Sequence, residues 1–157
     1  MCNRTRHRAL GKTPAMAIEL VPLCSATIEL AEPFFLPDTP LGTRVIAECR
    51  SFDVTGERIT AHMKGSAAAD WLTLDGRFQG TLDVRTLVET DDGALVFVSY
   101  RGRIDLAAGP DAATSYAAPL FDTGDERYLW LNRIQAIAKG TLSDGGTTLV
   151  YEVYEVA

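Results

Sequence analysis

Three residues near the middle of the chain have side chains suited to proton-transfer chemistry: Asp70, Arg85 and Tyr100. Asp70 precedes Trp71, and a carboxyl group that is partly desolvated beside a large apolar ring has a raised pKa and can act as a general acid or base. The planar guanidinium of Arg85 can hold a carboxylate, an enolate or a carbonyl oxygen. Tyr100 can donate a hydrogen bond. We therefore take Asp70, Arg85 and Tyr100 as the candidate catalytic residues.

The same residues also have a structural interpretation. A buried guanidinium is costly unless it is paired, so Arg85 could form an ion pair with Asp83 or Asp70 that fixes the register of neighbouring strands. Asp70 could belong to a turn, with Trp71 closing one end of the fold. The residue types alone leave both interpretations open.

A hairpin prediction relates Arg85 to Tyr100. Asp92-Gly93 lies between two extended patterns, Thr81–Glu89 and Ala94–Leu106, and Asp-Gly is typical of a two-residue type I′ loop. Counting outward from that loop predicts that Arg85 lies opposite Tyr100. Because side chains alternate between faces, the predicted buried face consists of Asp83, Arg85, Leu87, Val96, Val98, Tyr100 and Ile104.

The remaining elements that must position these residues are also mostly strands. Eight to ten extended patterns with frequent turn residues, and no convincing long helix, predict an all-β fold. Between a sandwich and a barrel we favour a single-domain antiparallel β-barrel, whose interior can hold one small ligand. Strands are predicted at residues 18–30 (with Pro22 at an edge or bulge), 43–54, 59–63, 116–121, 128–138 (where a helix is the alternative) and 147–156.

Several further residues are candidates for shaping a ligand pocket. Aromatic rings give flat apolar walls, and an asparagine can orient a hydroxyl or carbonyl group. His62 could shuttle a proton near neutral pH, but no second ligand stands near it at a spacing typical of zinc, so we predict no metal. Ordinary packing explains these residues almost as well. The candidate substrate-binding residues of this group are His62, Trp71, Tyr128, Trp130 and Asn132.

Composition limits the partners and the compartment. The 157 residues carry a net charge of −6, which argues against nucleic acid or an anionic membrane as the main partner. Cys2, Cys24 and Cys49 have no metal-ligand spacing, and an odd number of cysteines suits no disulfide framework. Cys24 and Cys49 look like small apolar residues in strands, which favours a reducing compartment. With no apolar segment long enough to span a bilayer and no secretory signal, we expect a cytoplasmic protein. Residues 1–15 are predicted to be a disordered basic tail before a single domain at 16–157, with Met16 as an alternative start.

Several short segments, taken in order, resemble the DUF3237 family, also called UPF0311, from about Met16 to Val156. That resemblance implies a barrel of calycin or allene-oxide-cyclase type, without a settled activity. Arg44, in the first of these segments, joins the candidate substrate-binding residues. The chain departs from the family where Ser66–Ala69 replaces a Gly-Gly pair, at Asp122, and in a longer loop at 107–113. The segments are Gly42-Thr43-Arg44, Ala69-Asp70-Trp71, Asp83-Val84-Arg85, Thr90-Asp91-Asp92-Gly93-Ala94, Phe121-Asp122-Thr123 and Trp130-Leu131-Asn132.

These observations predict a small-molecule-binding barrel that works as an enzyme without a cofactor. The expected chemistry is proton transfer on a small hydrophobic carbonyl or aromatic compound, as an isomerase, a cyclase or a lyase. The alternative is a carrier that holds a hydrophobic ligand without changing it. We predict a small organic ligand as the partner, with no nucleic acid and no membrane, and a homo-oligomer remains open.

Overall fold

A computed structural model describes residues 17–157. The predicted tail at residues 1–15, together with Cys2 and Met16, lies outside the described residues. Cys24 and Cys49 are free thiols. Within 17–157, no helix has the length and apolar character required to cross a bilayer. The ten strands are β1 (Leu20–Leu30), β2 (Phe34–Thr39), β3 (Gly42–Thr55), β4 (Ala61–Met63), β5 (Ala69–Leu74), β6 (Gln79–Thr90), β7 (Leu95–Asp105), β8 (Thr114–Asp122), β9 (Gln135–Ser143) and β10 (Thr148–Val156).

These strands close into an antiparallel barrel, which confirms the predicted all-β class. Strands β6 to β10 follow one another around the wall, β10 pairs with β1, and β1 pairs with β3. Strands β4 and β5 both pair with β3 and with β6, so together they fill one strand position in the wall. The barrel therefore has eight strand positions. Among the strands of residues 17–157, β2 pairs with β3 alone, along the first part of that strand. The register of β1 shifts between Pro22 and Cys24, so Pro22 lies at a bulge, as predicted.

The hairpin between β6 and β7 differs from the prediction by one residue. Its loop contains three residues, Asp91 to Gly93, because Thr90 N–H donates to the Ala94 carbonyl at 2.8 Å. Gly93 has φ +89°, which fits a three-residue loop that ends in a left-handed residue. The register is therefore one residue away from the predicted one: Tyr100 lies opposite Val84.

Because neighbouring side chains point to opposite faces, a register shift of one residue places the other set of β6 side chains on the same face as Tyr100. The inward residues of β6 include Leu82, Val84, Thr86 and Val88, and those of β7 include Val96, Val98, Tyr100 and Ile104. The prediction that Asp83, Arg85 and Leu87 share the buried face with Tyr100 is therefore wrong.

The segment predicted as a strand at 128–138 begins instead as a short 3-10 helix, Leu129–Arg133, and only then enters β9. Leu131 is fully buried near the end of the barrel that carries the β6–β7 hairpin. Tyr128 hydroxyl donates to Asp92 at 3.1 Å, which ties this short helix to the hairpin loop. The helix therefore covers one end of the barrel, and the opposite end carries the β7–β8 and β9–β10 connections, each with a short 3-10 helix.

Candidate active site

The barrel encloses a cavity of about 590 Å³ in the half away from the 3-10 helix. Its wall is mainly aliphatic and comes from nearly every strand. Loop residues surround the mouth, where Asp111 in a second 3-10 helix (Pro110–Ala112) accepts a hydrogen bond from Gly145 N–H at 2.8 Å. Aliphatic side chains of the wall include Ile28, Val45, Leu72, Leu82, Ile104 and Leu149. A volume of this size is typical of pockets for small organic molecules.

Asp70 projects its carboxyl group into this cavity from β5. One of its oxygens accepts a hydrogen bond from the backbone N–H of Asp83 on β6, at 2.9 Å. The direct pairing of β5 with β6 is interrupted between Asp70 and Thr73, so the carboxyl group takes the place of a backbone acceptor. This arrangement fixes Asp70 in the barrel wall.

Burial raises the pKa of the Asp70 carboxyl to about 6, with a smaller contribution from the charge of Asp83. The hydrogen bond from Asp83 N–H acts in the opposite direction, because it favours the carboxylate. A pKa this close to neutrality lets one group both accept and return a proton during a reaction. Asp70 therefore lines the cavity with a raised pKa, and its role as a general acid or base stays a prediction.

Tyr100 and Tyr151 lie together at the inner end of the cavity. Their rings meet edge to face, with centroids 5.7 Å apart. The hydroxyl group of Tyr151 is 2.7 Å from that of Ser115, which is completely buried on β8. Burial raises the pKa of Tyr100 well above its usual value, and raises that of Tyr151 to about 12 against the opposing effect of its hydrogen bond with Ser115. Both phenols therefore keep their protons at neutral pH and can donate hydrogen bonds.

Cys49 also lines the cavity. Burial raises the pKa of its thiol to about 11, and the charge of Asp70 adds to the shift. The thiol is therefore protonated at neutral pH and behaves as a small apolar group.

Arg85 lies outside this site, contrary to the predicted register. Its side chain is 48% exposed and pairs with Asp83 at 3.2 Å on the outer face of β6. The guanidinium carbon lies 5.4 Å from the centre of the Trp71 ring. The proposed contact of Arg85 with a ligand inside the barrel is therefore wrong, and the structural interpretation of an ion pair with Asp83 is the one observed.

Two of the predicted substrate-binding residues, Arg44 and Trp71, belong to the same outer surface. Arg44 donates to the Trp71 carbonyl at 3.1 Å, and neither side chain lines the cavity. His62 is also outside, on β4, with its two ring nitrogens 2.8 Å from Asp53 and 3.3 Å from Asp91. Its hydrogen bond to Asp53 is the main cause that raises the pKa of His62.

The other three predicted pocket residues lie at the covered end of the barrel. The guanidinium of Arg58 stacks on Trp130 at 4.3 Å. Asn132 exchanges two hydrogen bonds, each 2.9 Å long, with the backbone of Thr123. These contacts, with that of Tyr128, attach the 3-10 helix to the barrel, so none of the three residues lines the cavity.

Of the three candidate catalytic residues, Asp70 and Tyr100 line the cavity, as do Tyr151, Ser115 and Cys49, which were not candidates from the sequence. Tyr151 alternates along β10 with Glu152, and this alternation marks it as an inward residue. Nothing local in the sequence distinguishes Ser115 or Cys49 from any small residue of a strand. Within residues 17–157, no three His, Cys, Asp or Glu side chains cluster as metal ligands would.

The geometry defines a class: a closed antiparallel barrel with a mostly apolar ligand cavity that contains a few converging polar groups. The chain belongs to the DUF3237 family, described as proteins of unknown function, whose family model matches residues 18–156. This confirms the resemblance inferred from the short segments.

Individual relatives agree with this assignment. The chain is 31% identical over 83 residues to the hydroalkoxylation enzyme phnH of Penicillium herquei, a match that covers 53% of this chain and 48% of that enzyme. The chain thus matches about half the length of this relative.

Solved structures share the fold. A β-barrel-like protein from Acinetobacter baumannii superposes with a TM-score of 0.81 at 24% identity, over 93% of this chain and 99% of that one. An enzyme from Penicillium herquei superposes with a TM-score of 0.68 at 24% identity, over 94% and 100%.

Proposed function

We propose that this barrel is an enzyme that transfers protons on a small, mostly apolar carbonyl compound bound in its cavity, without a metal or nucleotide. The observation that carries the proposal is the Asp70 carboxyl group, which lies in a ligand-sized apolar cavity with a pKa raised to about 6. A buried acid with a perturbed pKa in a cleft is typical of a functional site. The tyrosine hydroxyls at the inner end supply donors for an oxygen that becomes negative.

The name of the Penicillium herquei relative suggests the particular reaction, which is the addition of an O–H group across a carbon–carbon double bond. In the proposed step the Asp70 carboxylate takes the proton of a hydroxyl group on the substrate. That oxygen attacks the far carbon of a double bond conjugated to a carbonyl group in the same molecule. A C–O bond forms, the π bond breaks, and the electron pair moves onto the carbonyl oxygen to give an enolate.

Tyr100 and Tyr151 donate hydrogen bonds to the enolate oxygen, and the protonated Asp70 returns its proton to the carbon next to the carbonyl. No proton is gained or lost overall, so the product is a cyclic ether isomeric with the substrate. The same groups catalyse the reverse elimination. Removing one such oxyanion donor is expected to slow turnover about 100-fold or more.

The probe for this reaction is 2′-hydroxychalcone, whose phenol adds to its own enone to give flavanone. The wild-type protein is expected to accelerate ring closure, to produce one enantiomer in excess, and to incorporate one solvent deuterium in D2O. Asp70→Asn should lower the rate at least about 100-fold, and Tyr100→Phe should also lower it. Equal rates and a racemic product with wild type and Asp70→Asn would contradict the proposal.

The alternative of a carrier is favoured by the predominantly aliphatic wall of the cavity. A carrier would bind the chalcone, as measured by calorimetry, without conversion or enantiomeric excess. Its affinity should then be insensitive to Asp70→Asn. The same set of samples therefore distinguishes the two functions.

A further inference from the structure

The interior of the barrel contains a second, smaller chamber of about 40 Å³, on the side of the covered end. Its wall is almost entirely apolar and includes Phe52, Val54, Val88, Val96 and Val98. The two chambers share two lining residues, Tyr100 and Tyr151. The tyrosine pair therefore stands between a large cavity with polar groups and a small apolar one.

The rings are held in this position by the strands around them. Tyr151 lies directly across from Gly140 on β9, and a Cβ atom at Gly140 would come within 2.6 Å of the Tyr151 ring. Ala117 and Ala138, which also line the small chamber, leave further room beside the rings. Ser115 fixes the hydroxyl end of Tyr151 at 2.7 Å. The partition is therefore a packed part of the barrel.

We infer that Tyr100 and Tyr151 determine specificity by setting the inner limit of the substrate cavity, so that accepted substrates carry apolar substituents only on the side toward the mouth. This inference rests on the proposed function, because it takes the 590 Å³ cavity as the substrate site. It adds a role that the hydroxyl groups do not perform. The hydroxyls bind the reacting oxygen, and the rings block any substituent that points past them toward the small chamber.

The small chamber is the space that such an alkyl group would occupy if the partition were removed. A cavity needs roughly 10–15 Å³ of volume open to a water-sized sphere to hold one such group. The small chamber, at about 40 Å³, therefore suits two or three carbon atoms. Its apolar wall suits an alkyl chain and no polar group. Shortening one tyrosine to leucine should therefore extend the range of substrates by a short alkyl substituent.

The test uses two unreactive ketones, 4-propylbenzophenone and 4,4′-dipropylbenzophenone, with binding measured by calorimetry. The monopropyl ketone can direct its chain toward the mouth. The symmetrical dipropyl ketone carries a chain on each ring, so when it lies lengthwise in the cavity one chain points toward the mouth and the other toward the tyrosine pair. Because each unburied methylene weakens binding about fourfold, wild type should bind the dipropyl ketone at least about tenfold more weakly.

In Tyr100→Leu the two ketones should bind with affinities within about threefold, because the second chain enters the small chamber. Tyr100→Phe keeps the ring and should retain the wild-type discrimination. Val98→Ala enlarges the small chamber without opening the partition and should retain it as well. Tyr151→Leu provides a second opening if Tyr100→Leu does not fold.

Equal binding of both ketones by wild type would overturn the inference and leave the proposed enzyme intact. The inference would also be overturned if both leucine variants still bound the dipropyl ketone more weakly than the monopropyl ketone, or if Tyr100→Phe bound the two ketones equally. Failure of wild type to bind either ketone would count against both the inference and the cavity as a site for aryl ketones. Loss of chalcone turnover in Asp70→Asn with no discrimination in wild type would support the proposed function alone.

Discussion

The inner and outer faces of β5 and β6 hold their acidic groups in opposite ways. On the outer face, Asp83 pairs with Arg85 at 3.2 Å in contact with solvent, where such pairs contribute about 0–1 kcal/mol. On the inner face, Asp70 has no side-chain cation within hydrogen-bonding distance among the described residues, and its pKa is raised to about 6. The outer group is in an ordinary solvated state, whereas the inner group makes the folded protein less stable at neutral pH. A destabilising group that is kept inside a cavity is typical of a site selected for function.

The largest expected effect comes from removing the inner charge. Below pH 3.8 the Asp70 carboxyl is protonated in both the folded and the unfolded protein. As the pH rises from 3.8 to about 6, the unfolded chain releases the proton first, so the wild type loses stability across that window. Above pH 6 the full penalty is up to about 3 kcal/mol, from about 1.4 kcal/mol per pKa unit.

Asp70→Asn has no charge and keeps an acceptor for the Asp83 N–H, so it should be more stable than wild type by up to about 3 kcal/mol at pH 8. The difference should vanish at pH 3.5. Urea unfolding at both pH values measures it. Asp83→Asn is the matched control on the outer face. In an Asp83→Asn background, the stability gained from Asp70→Asn at pH 8 should be only slightly smaller, because the Asp83 charge is a minor cause of the raised Asp70 pKa. Lower stability of Asp70→Asn at pH 8 would show that the carboxylate is stabilised in the barrel.

A smaller effect is expected from the buried pair of hydroxyls. Ser115→Ala leaves the Tyr151 hydroxyl without the partner that lies at 2.7 Å, and an unsatisfied buried hydroxyl costs about 1–3 kcal/mol. The double variant Ser115→Ala/Tyr151→Phe removes both groups and should lose less than the sum of the single changes. A double-variant cycle by urea unfolding measures this coupling. Strictly additive losses would contradict a hydrogen bond between the two residues.

The same inner face explains how far the sequence could predict the site. The barrel followed from alternation and turn residues, because each strand has one face that must be buried. A carboxyl group beside a large ring made Asp70 a candidate, and Asp70 does line the cavity. Trp71 lies on the opposite face of β5, so the desolvation of Asp70 comes from the cavity itself. Tyr100 followed from its position in an apolar strand.

Arg85 shows why the rest failed. A loop of two residues and a loop of three residues both suit Asp91-Asp92-Gly93. The Thr90 side chain stabilises the three-residue loop, because it accepts a hydrogen bond from Ala94 N–H at 2.8 Å. The alternation within β6 pointed to the correct answer, because Asp83, Arg85 and Glu89 share one face and Leu82, Val84 and Val88 the other. Ser115 and Tyr151 come together across 36 positions of sequence, which no local pattern reveals.

A modest gain is expected at Thr86, an inner-face residue that is not part of the site. Its hydroxyl oxygen is buried and has no hydrogen-bond partner among residues 17–157. Thr86→Val has nearly the same shape and removes the unsatisfied group, so stability should rise by roughly 1 kcal/mol. Thermal unfolding measures this. A loss of similar size would mean that the Thr86 hydroxyl is hydrogen-bonded in solution, for example to a bound water.

The smallest effect is expected at Arg85, where the two possible registers of the hairpin make opposite predictions. With Arg85 on the outer face, Arg85→Met removes a solvated ion pair and a stacking contact with Trp71, and the free energy of unfolding should change by at most about 1 kcal/mol. The closure of 2′-hydroxychalcone should stay within about twofold of the wild-type rate, because the side chain is remote from the cavity.

An inward Arg85 would behave differently. Its removal would leave a buried carboxylate unpaired and cost about 3–5 kcal/mol, or would abolish turnover if the guanidinium held the reacting oxygen. Urea unfolding and the chalcone assay on one sample of Arg85→Met separate these outcomes. Arg85→Lys serves as the control, because it keeps the charge but cannot stack as a plane on Trp71. If both variants match wild type in stability and rate, Arg85 takes no part in the chemistry, as its solvated position on the outer face of β6 leads us to expect.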